Sequence, residues 1–316
     1  MVTHVKERWH EALKTADFCC LFLCGICVTV TDHFVGVRCL PPFPTQAASY
    51  LATFGLPTLL ALLGACWGSF AATLSDRWPQ GRSIVQPRSH CEACQRTLAV
   101  RDLIPVLSYI AARGRCRHCG VPVSRRYPLI EIACASVGLV SGLLMPSPDS
   151  FWLAALGWQL LLLAVLDAEH FWLPDRLVGL LAASGLAGAA LGGPERLLTA
   201  LIGAAAGFTA LFAIAYLYKR FRGRTGMGGG DPKLLGAIGA WVGWLPLPMV
   251  LLIGAGLGIA FAIFEAIRDG AVTKGGAMWQ RRLPLGTCLA ISTWVWLLLD
   301  RVNLTVISAF SKMSLN

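Results

Sequence analysis

Residues 151–175 read FWLAALGWQLLLLAVLDAEHFWLPD. No charge interrupts the stretch before Asp167, and a run of about 20 apolar residues is what a helix needs to cross roughly 30 Å of hydrocarbon. The run from 151 to 167 therefore reads as a membrane span that ends on a carboxylate. Seven more apolar runs flank it, near 50–74, 128–146, 177–193, 197–218, 234–251, 250–267 and 284–300. The last two before the C-terminal run are separate helices. Between them lies Gly243-Trp244-Leu245-Pro246-Leu247-Pro248, whose two prolines and glycine favour a turn.

Composition agrees with this reading. The chain is 56% hydrophobic and 14% charged, with a mean hydropathy of +0.63, which is far from the balance of a soluble domain. The fold expected is an all-α polytopic membrane protein of about eight transmembrane helices with one small polar insert. The expected organisation is an N-terminal extension over 1–49, a first main span over 50–74, and a polar insert over 75–127. A membrane core over 128–303 and a C-terminal tail over 304–316 complete it.

The net charge of +10 does not require a nucleic-acid partner, because basic residues retained in cytoplasmic loops account for it. The 75–127 segment carries Arg77, Arg82, Arg88, Arg96, Arg101, Arg113, Arg115, Arg117, Arg125 and Arg126 and is assigned to the cytoplasm. Alternation then puts the 167–176 turn and the Lys219 to Lys233 loop on the same side. The loop with Arg268, Lys274, Arg281 and Arg282 joins them. Ahead of the first main span, the run from Phe18 to Val30 is about two-thirds of a spanning length. Lys6, Arg8 and Lys14 precede it as in a signal peptide, but no small-residue cleavage site follows, so it is read as a retained hydrophobic segment. Small-xxx-small pairs at Gly64/Gly68, Gly203/Gly207, Gly239/Gly243 and Gly254/Gly258 are expected to pack helices closely.

Two Cys-x-x-Cys turns, Cys91/Cys94 and Cys116/Cys119, lie in the segment assigned to the reducing side. Their spacing suits one tetrahedral Zn²⁺. Since cysteine fills all four positions, no place is left for a catalytic water and the site is structural. His90 and His118 lie beside the ligands without being needed as ligands. Cys19, Cys20, Cys24, Cys27, Cys39, Cys66, Cys134 and Cys288 lie mostly in apolar runs and read as packing residues.

Carboxylates at span boundaries are costly and are natural site candidates. Asp167 closes its run, and Asp231 follows Gly226-Met227-Gly228-Gly229-Gly230 just before the next one. Two carboxylates brought together share a proton, which gives one general base and one general acid for water attack on a peptide bond. Gly228, Gly229 and Gly230 allow close approach of a substrate strand or of the second carboxylate. A nucleotide loop is the poorer reading, since the pattern lacks the Lys-Ser/Thr ending and the preceding β-strand. Among the other acids, Asp175 suits a helix N-cap, Glu169 suits solvent or a nearby Arg, and Glu131 and Glu265, in or near span ends, read as packing-linked polar residues, with Glu131 the supporting candidate. His170 beside Phe171 and Trp172 suits an interfacial belt.

Taken together, Gly68-Ser69-Phe70, Arg77-Trp78-Pro79, Pro87-Arg88-Ser89-His90-Cys91, the two cysteine pairs, Tyr127-Pro128-Leu129-Ile130-Glu131, the Asp167 to Asp175 segment and Gly228-Gly229-Gly230-Asp231-Pro232-Lys233-Leu234-Leu235 resemble the bacterial prepilin peptidases. The resemblance implies an inner-membrane aspartyl endopeptidase with Asp167 and Asp231 as catalysts. It implies removal of a short basic leader from type IV prepilins or type II secretion pseudopilins at the cytoplasmic face. Members with the four-cysteine loop also methylate the new N-terminus with S-adenosylmethionine, so that second activity is expected here. The chain departs from the family at Leu283-Pro284-Leu285-Gly286-Thr287-Cys288, where a Pro-Phe-Gly-Pro-like segment is usual. Two rival readings use the same residues differently. One is a transporter relaying ions through Asp167 and Asp231, and the other is a membrane-tethered zinc module that binds nucleic acid or protein.

Overall fold

The computed structural model describes residues 54–83, 88–145, 147–223, 227–268 and 283–313, with side chains to Arg301. The hydrophobic segment from Phe18 to Val30, the cysteines before Cys66, Gly226, Lys274, Arg281 and Arg282 lie outside the described residues. The described residues fold into helices without a strand. In chain order they are α1 (Leu56–Arg77), the short α2 (Leu107–Ala111), α3 (Arg126–Leu144), α4 (Ser150–His170) and α5 (Asp175–Leu191). Then follow α6 (Pro194–Arg222), α7 (Gly230–Val242), α8 (Leu247–Arg268) and α9 (Leu285–Met313).

Among the described residues, eight helices overlap the eight apolar runs. Five of them, α1, α3, α4, α6 and α8, are long and apolar enough to cross a membrane by length and composition. α7 falls short of the run from 234 to 251. Its 13 residues rise only about 20 Å, because Gly243 takes a φ of 78° and the chain turns before Leu247. α9 runs on to Met313, through the segment read from sequence as a tail. Local chemistry explains other boundaries. Pro128, Pro194 and Pro232 sit in first turns, where their missing N–H costs nothing. Gly223 closes α6 in the left-handed conformation.

Two apolar clusters hold the helices together, and α4 belongs to both. One face of α4 supplies Ala154, Trp158, Leu162 and Leu166 to a cluster with α1 and α3. Its other face supplies Leu153, Leu156, Leu160 and Leu163 to a larger cluster with α5 through α9. Small residues bring the backbones close. A Cβ on Gly64 would collide with the Cys134 carbonyl of α3, and one on Gly239 with the Gly203 carbonyl of α6. Gly68, Gly203 and Gly207 also face backbone atoms of a neighbouring helix, whereas a Cβ on Gly243 would meet the Thr199 side chain at 2.9 Å. The Gly254/Gly258 pair is looser, a Cβ on Gly254 meeting Ser292 Oγ at 3.2 Å and one on Gly258 only Cys288 Sγ at 3.9 Å. Trp158 fills the α3–α4 contact and satisfies its indole by donating to the Cys134 carbonyl over 2.9 Å.

Between α1 and α3 the chain leaves the helices to form two matching turns. Cys91–Cys94 is closed by a bridge between His90 and Thr97, and Cys116–Cys119 by one between Arg115 and Pro122. The residue after each second cysteine, Gln95 or Gly120, has a positive φ.

Candidate active site

Among the described residues three carboxylates are buried: Glu131, Asp167 and Asp231. All three are residues singled out in the sequence. Asp167 occupies the last turn of α4, which ends when Phe171 adopts the left-handed conformation and donates its N–H to the Asp167 carbonyl over 2.9 Å. Asp231 lies in the first turn of α7. Both acids are therefore at helix ends, and the Asp167 charge acts on the Asp231 carboxyl.

α9 and the α4–α5 turn complete the site. Thr287 donates its backbone N–H to Asp167 Oδ2 over 2.7 Å, and its hydroxyl lies 3.2 Å from the same oxygen. A Cβ on Gly286 would stand 3.0 Å from Asp167 Oδ2 and 2.9 Å from Leu173 Cδ1, so only glycine fits there without a shift. Leu173 also touches α7, where a Cβ on Gly230 would meet its Cβ at 2.9 Å. One leucine thus contacts both Gly230, next to Asp231, and Gly286, which faces Asp167. Gly228 approaches Asp231 itself, with Oδ2 at 3.4 Å from the position of its Cβ. Gly228, Gly229 and Gly230 have no positive φ, so close approach rather than a left-handed turn is what the structure asks of Gly230.

Asp175 behaves differently from its sequence reading. Pro174 is the N-cap of α5, and Asp175 is its first helical residue with no side-chain cap bond. Its carboxylate points outward, 71% exposed, and pairs with Lys233 Nζ at 2.7 Å. Glu169 takes the expected arginine partner in Arg126, which donates Nε to Oε1 and Nη2 to Oε2. His170 is tied in more firmly than an interfacial belt residue, its Nε2 lying 3.1 Å from the Ser75 carbonyl of α1. Sequence reasoning missed Arg126 as a structural residue and missed Thr287 and Leu173 entirely. A threonine in the first turn of an apolar helix was the one signal available for Thr287.

The four cysteines come together as their spacing required. All four Sγ atoms lie within 4.8 Å of one another, and Cys91 and Cys119 are 3.8 Å apart. A tetrahedron with Zn–S bonds of about 2.3 Å has S···S edges of about 3.8 Å, so the thiol set fits a zinc ion. Backbone N–H groups of Cys119 and His118 lower the Cys116 thiol to about 6, which supplies a thiolate at neutral pH. The Val121 N–H favours the Cys119 thiolate, but burial and the neighbouring sulfurs outweigh it and raise Cys119 to about 11. His118 stays outside the set, its Nδ1 facing Arg96 Nη1 at 3.2 Å.

A cavity of about 570 Å³ lies between these knuckles and the ends of α1 and α3. Asp76, His90, Asp102, Ser108, Tyr109 and Glu131 are among its lining residues. Glu131 accepts the backbone N–H of Val106 over 2.7 Å. Asp102 Oδ1 is buried without a hydrogen-bond partner, although Arg117 Nε stands 3.2 Å away out of hydrogen-bond alignment.

Comparison with known proteins covers most of the described chain. The bacterial peptidase A24 N-terminal domain matches residues 62–145, and the type IV leader peptidase family matches residues 154–263. A prepilin leader peptidase/N-methyltransferase of Burkholderia pseudomallei (strain 1026b) is 40% identical over 222 residues, which is 70% of this chain and 70% of that protein. A protein of the same description from Aeromonas hydrophila is 37% identical over 68% of this chain and 73% of its own length. One from Klebsiella pneumoniae is 36% identical over 67% of this chain and 95% of its own. No solved structure matches.

Proposed function

The chain belongs to the type IV leader peptidase family, and from that membership we propose that it is a multi-pass inner-membrane endopeptidase that removes the leader of type IV prepilins or pseudopilins, with Asp167 and Asp231 as its catalytic pair. The observation that carries the assignment is the burial of both carboxylates, at 5% and 7% exposure, in adjoining helix ends. Two such groups do not readily ionise together. One takes a proton from water as it attacks the scissile carbonyl, while the other, protonated, supports the developing oxyanion and later protonates the leaving amine. An ion relay would favour carboxylates in the middle of spans, and both of these are in terminal turns. The basic loops assign these ends to the cytoplasmic face.

The second activity is N-methylation of the newly exposed amine. It needs a site for S-adenosylmethionine, which supplies an electrophilic methyl group when bound. The 570 Å³ cavity falls in the range of small-molecule sites. Asp102 Oδ1, ion-paired with Arg117 but without a hydrogen bond, is an acceptor of the kind that holds a ribose hydroxyl. The zinc-clamped knuckles wall this cavity, and their role is to shape it.

The test is cleavage of a purified prepilin-like substrate in detergent by wild type, Asp167→Asn, Asp231→Asn and Asp175→Asn. Loss of cleavage in the first two, in folded protein, with retention in Asp175→Asn is expected. Normal cleavage by both of the first two would overturn the mechanism. Asp102→Asn is expected to lower transfer of labelled methyl groups while leaving cleavage within about two-fold, since its effects, the loss of the Arg117 pair included, stay within the polar insert.

A further inference from the structure

Thr287 brings two hydrogen-bonding groups to a single carboxylate oxygen. Its N–H belongs to the first turn of α9, where no helical carbonyl is available to it, so donating to Asp167 costs the helix nothing. Its hydroxyl carries one hydrogen and has two neighbours, Asp167 Oδ2 at 3.2 Å and the Ala164 carbonyl of α4 at 2.9 Å. The carbonyl can only accept. A carboxylate can only accept, whereas a protonated carboxyl can also donate. The hydroxyl therefore has a partner in either protonation state of Asp167.

We propose that Thr287 is a positioning residue for the peptidase reaction. It donates to Asp167 Oδ2 while the carboxylate is ionised, and turns its hydrogen to the Ala164 carbonyl once Asp167 has taken the proton from water. No bond to the threonine forms or breaks. The proton moves from water to Asp167, and the hydroxyl only reorients. This inference rests on Asp167 and Asp231 being the catalytic pair, and it makes Asp167 the member that takes the proton from water. The charged and titratable groups around Asp167 are Asp231 from α7 and Cys288 from α9, with Glu169 and His170 on its own helix. Glu169 is engaged by Arg126 of α3, and His170 by the Ser75 carbonyl of α1. Thr287 is the residue whose side chain reaches Asp167 Oδ2 as a donor.

Thr287→Val keeps the backbone donor and the side-chain shape and removes the hydroxyl. Expected are a kcat lower by about 5- to 20-fold, a KM within about two-fold of wild type, and an acidic limb of the kcat/KM profile shifted upward by about half a pH unit or more. The sign follows from the donor. Without it the ionised form is less favoured, so a higher pH is needed to reach it. Thr287→Ser restores both parameters. Unchanged kcat and an unmoved limb in Thr287→Val, with Asp167→Asn and Asp231→Asn inactive, would sink the role of Thr287 and leave the catalytic pair standing. Activity in both aspartate variants would instead remove the premise. A lowered kcat that Thr287→Ser does not restore, with the limb unmoved, marks a packing role and also overturns the proposal. Thr287→Ala is read the same way if the valine variant does not fold, with melting temperature as the check.

Discussion

Arg126 grips Glu169 with both arms of its guanidinium, Nε on Oε1 at 2.5 Å and Nη2 on Oε2 at 2.6 Å. The same fork donates Nη1 to the Ala72 carbonyl at 3.1 Å and Nη2 to Ser75 Oγ at 2.7 Å. One side chain thus joins the ends of α1, α3 and α4, two residues from Asp167. Both partners are about a quarter to a third exposed, which puts the pair between a surface ion pair and a buried one. Arg126→Ala is expected to destabilise the protein by about 1–3 kcal/mol. Arg126→Lys recovers little of this, since an ammonium cannot reproduce the fork. Thermal melting of Arg126→Ala, Glu169→Ala and the double variant checks the pair, and strict additivity would refute the coupling.

Zinc is expected at about one ion per chain, and Cys91→Ser or Cys116→Ser is expected to release it, because a tetrahedral thiolate site with three ligands binds far more weakly. Metal competes with protons for the sulfurs, so retention weakens on acidification. Metal analysis after dialysis near pH 7.5 and pH 5 is expected to show zinc kept at the first and lost at the second. Full retention in either serine variant would refute the ligand assignment.

The α6–α7 contact is as tight as backbones allow, because Gly203 and Gly239 each face the other's carbonyl. Gly239→Ala forces the helices apart and is expected to cost about 1–3 kcal/mol. Gly256→Ala, where no heavy atom lies within 4 Å of the new Cβ, is expected to be neutral or slightly stabilising. Melting temperatures in one detergent decide this. Equal effects at the two positions would mean that helix propensity, and not packing, governs the interface.

What the sequence revealed and what it hid divide along physical lines. Lipid demands continuous apolar helix, so the runs announced themselves. Buried acids are rare, so Asp167, Asp231 and Glu131 stood out, as did the paired cysteines. The short α7 was not visible in the run from 234 to 251, because apolar residues continue past the turn at Gly243 and blur the boundary. Arg126 was hidden as one of ten arginines in a basic segment, although it bridges α1 and α4. Thr287 was hidden because its role depends on Asp167, 120 residues away in the chain.

Val106 has the least expected backbone among the described residues. A β-branched residue stands at φ 60° and ψ −50°, spanned by a bond from the Leu107 N–H to the Pro105 carbonyl at 2.5 Å, in the manner of a strained γ-turn. The Val106 N–H meets the buried Glu131 carboxylate of α3 at 2.7 Å, so a charge-assisted bond offsets the strain and anchors the polar insert to the helices. Glu131 also lines the cavity assigned to the methyl donor. Glu131→Gln keeps an acceptor for Val106 and is expected to lower methyl transfer only a few-fold, whereas Glu131→Ala removes the anchor and is expected to lower it by about ten-fold or more, with cleavage by both within about three-fold of wild type. Parallel assays of the two activities on one prepilin substrate separate the cases. If cleavage falls together with methylation in Glu131→Ala while the protein remains folded, the anchor serves the peptidase core as well, and the division of labour between insert and core argued here is wrong.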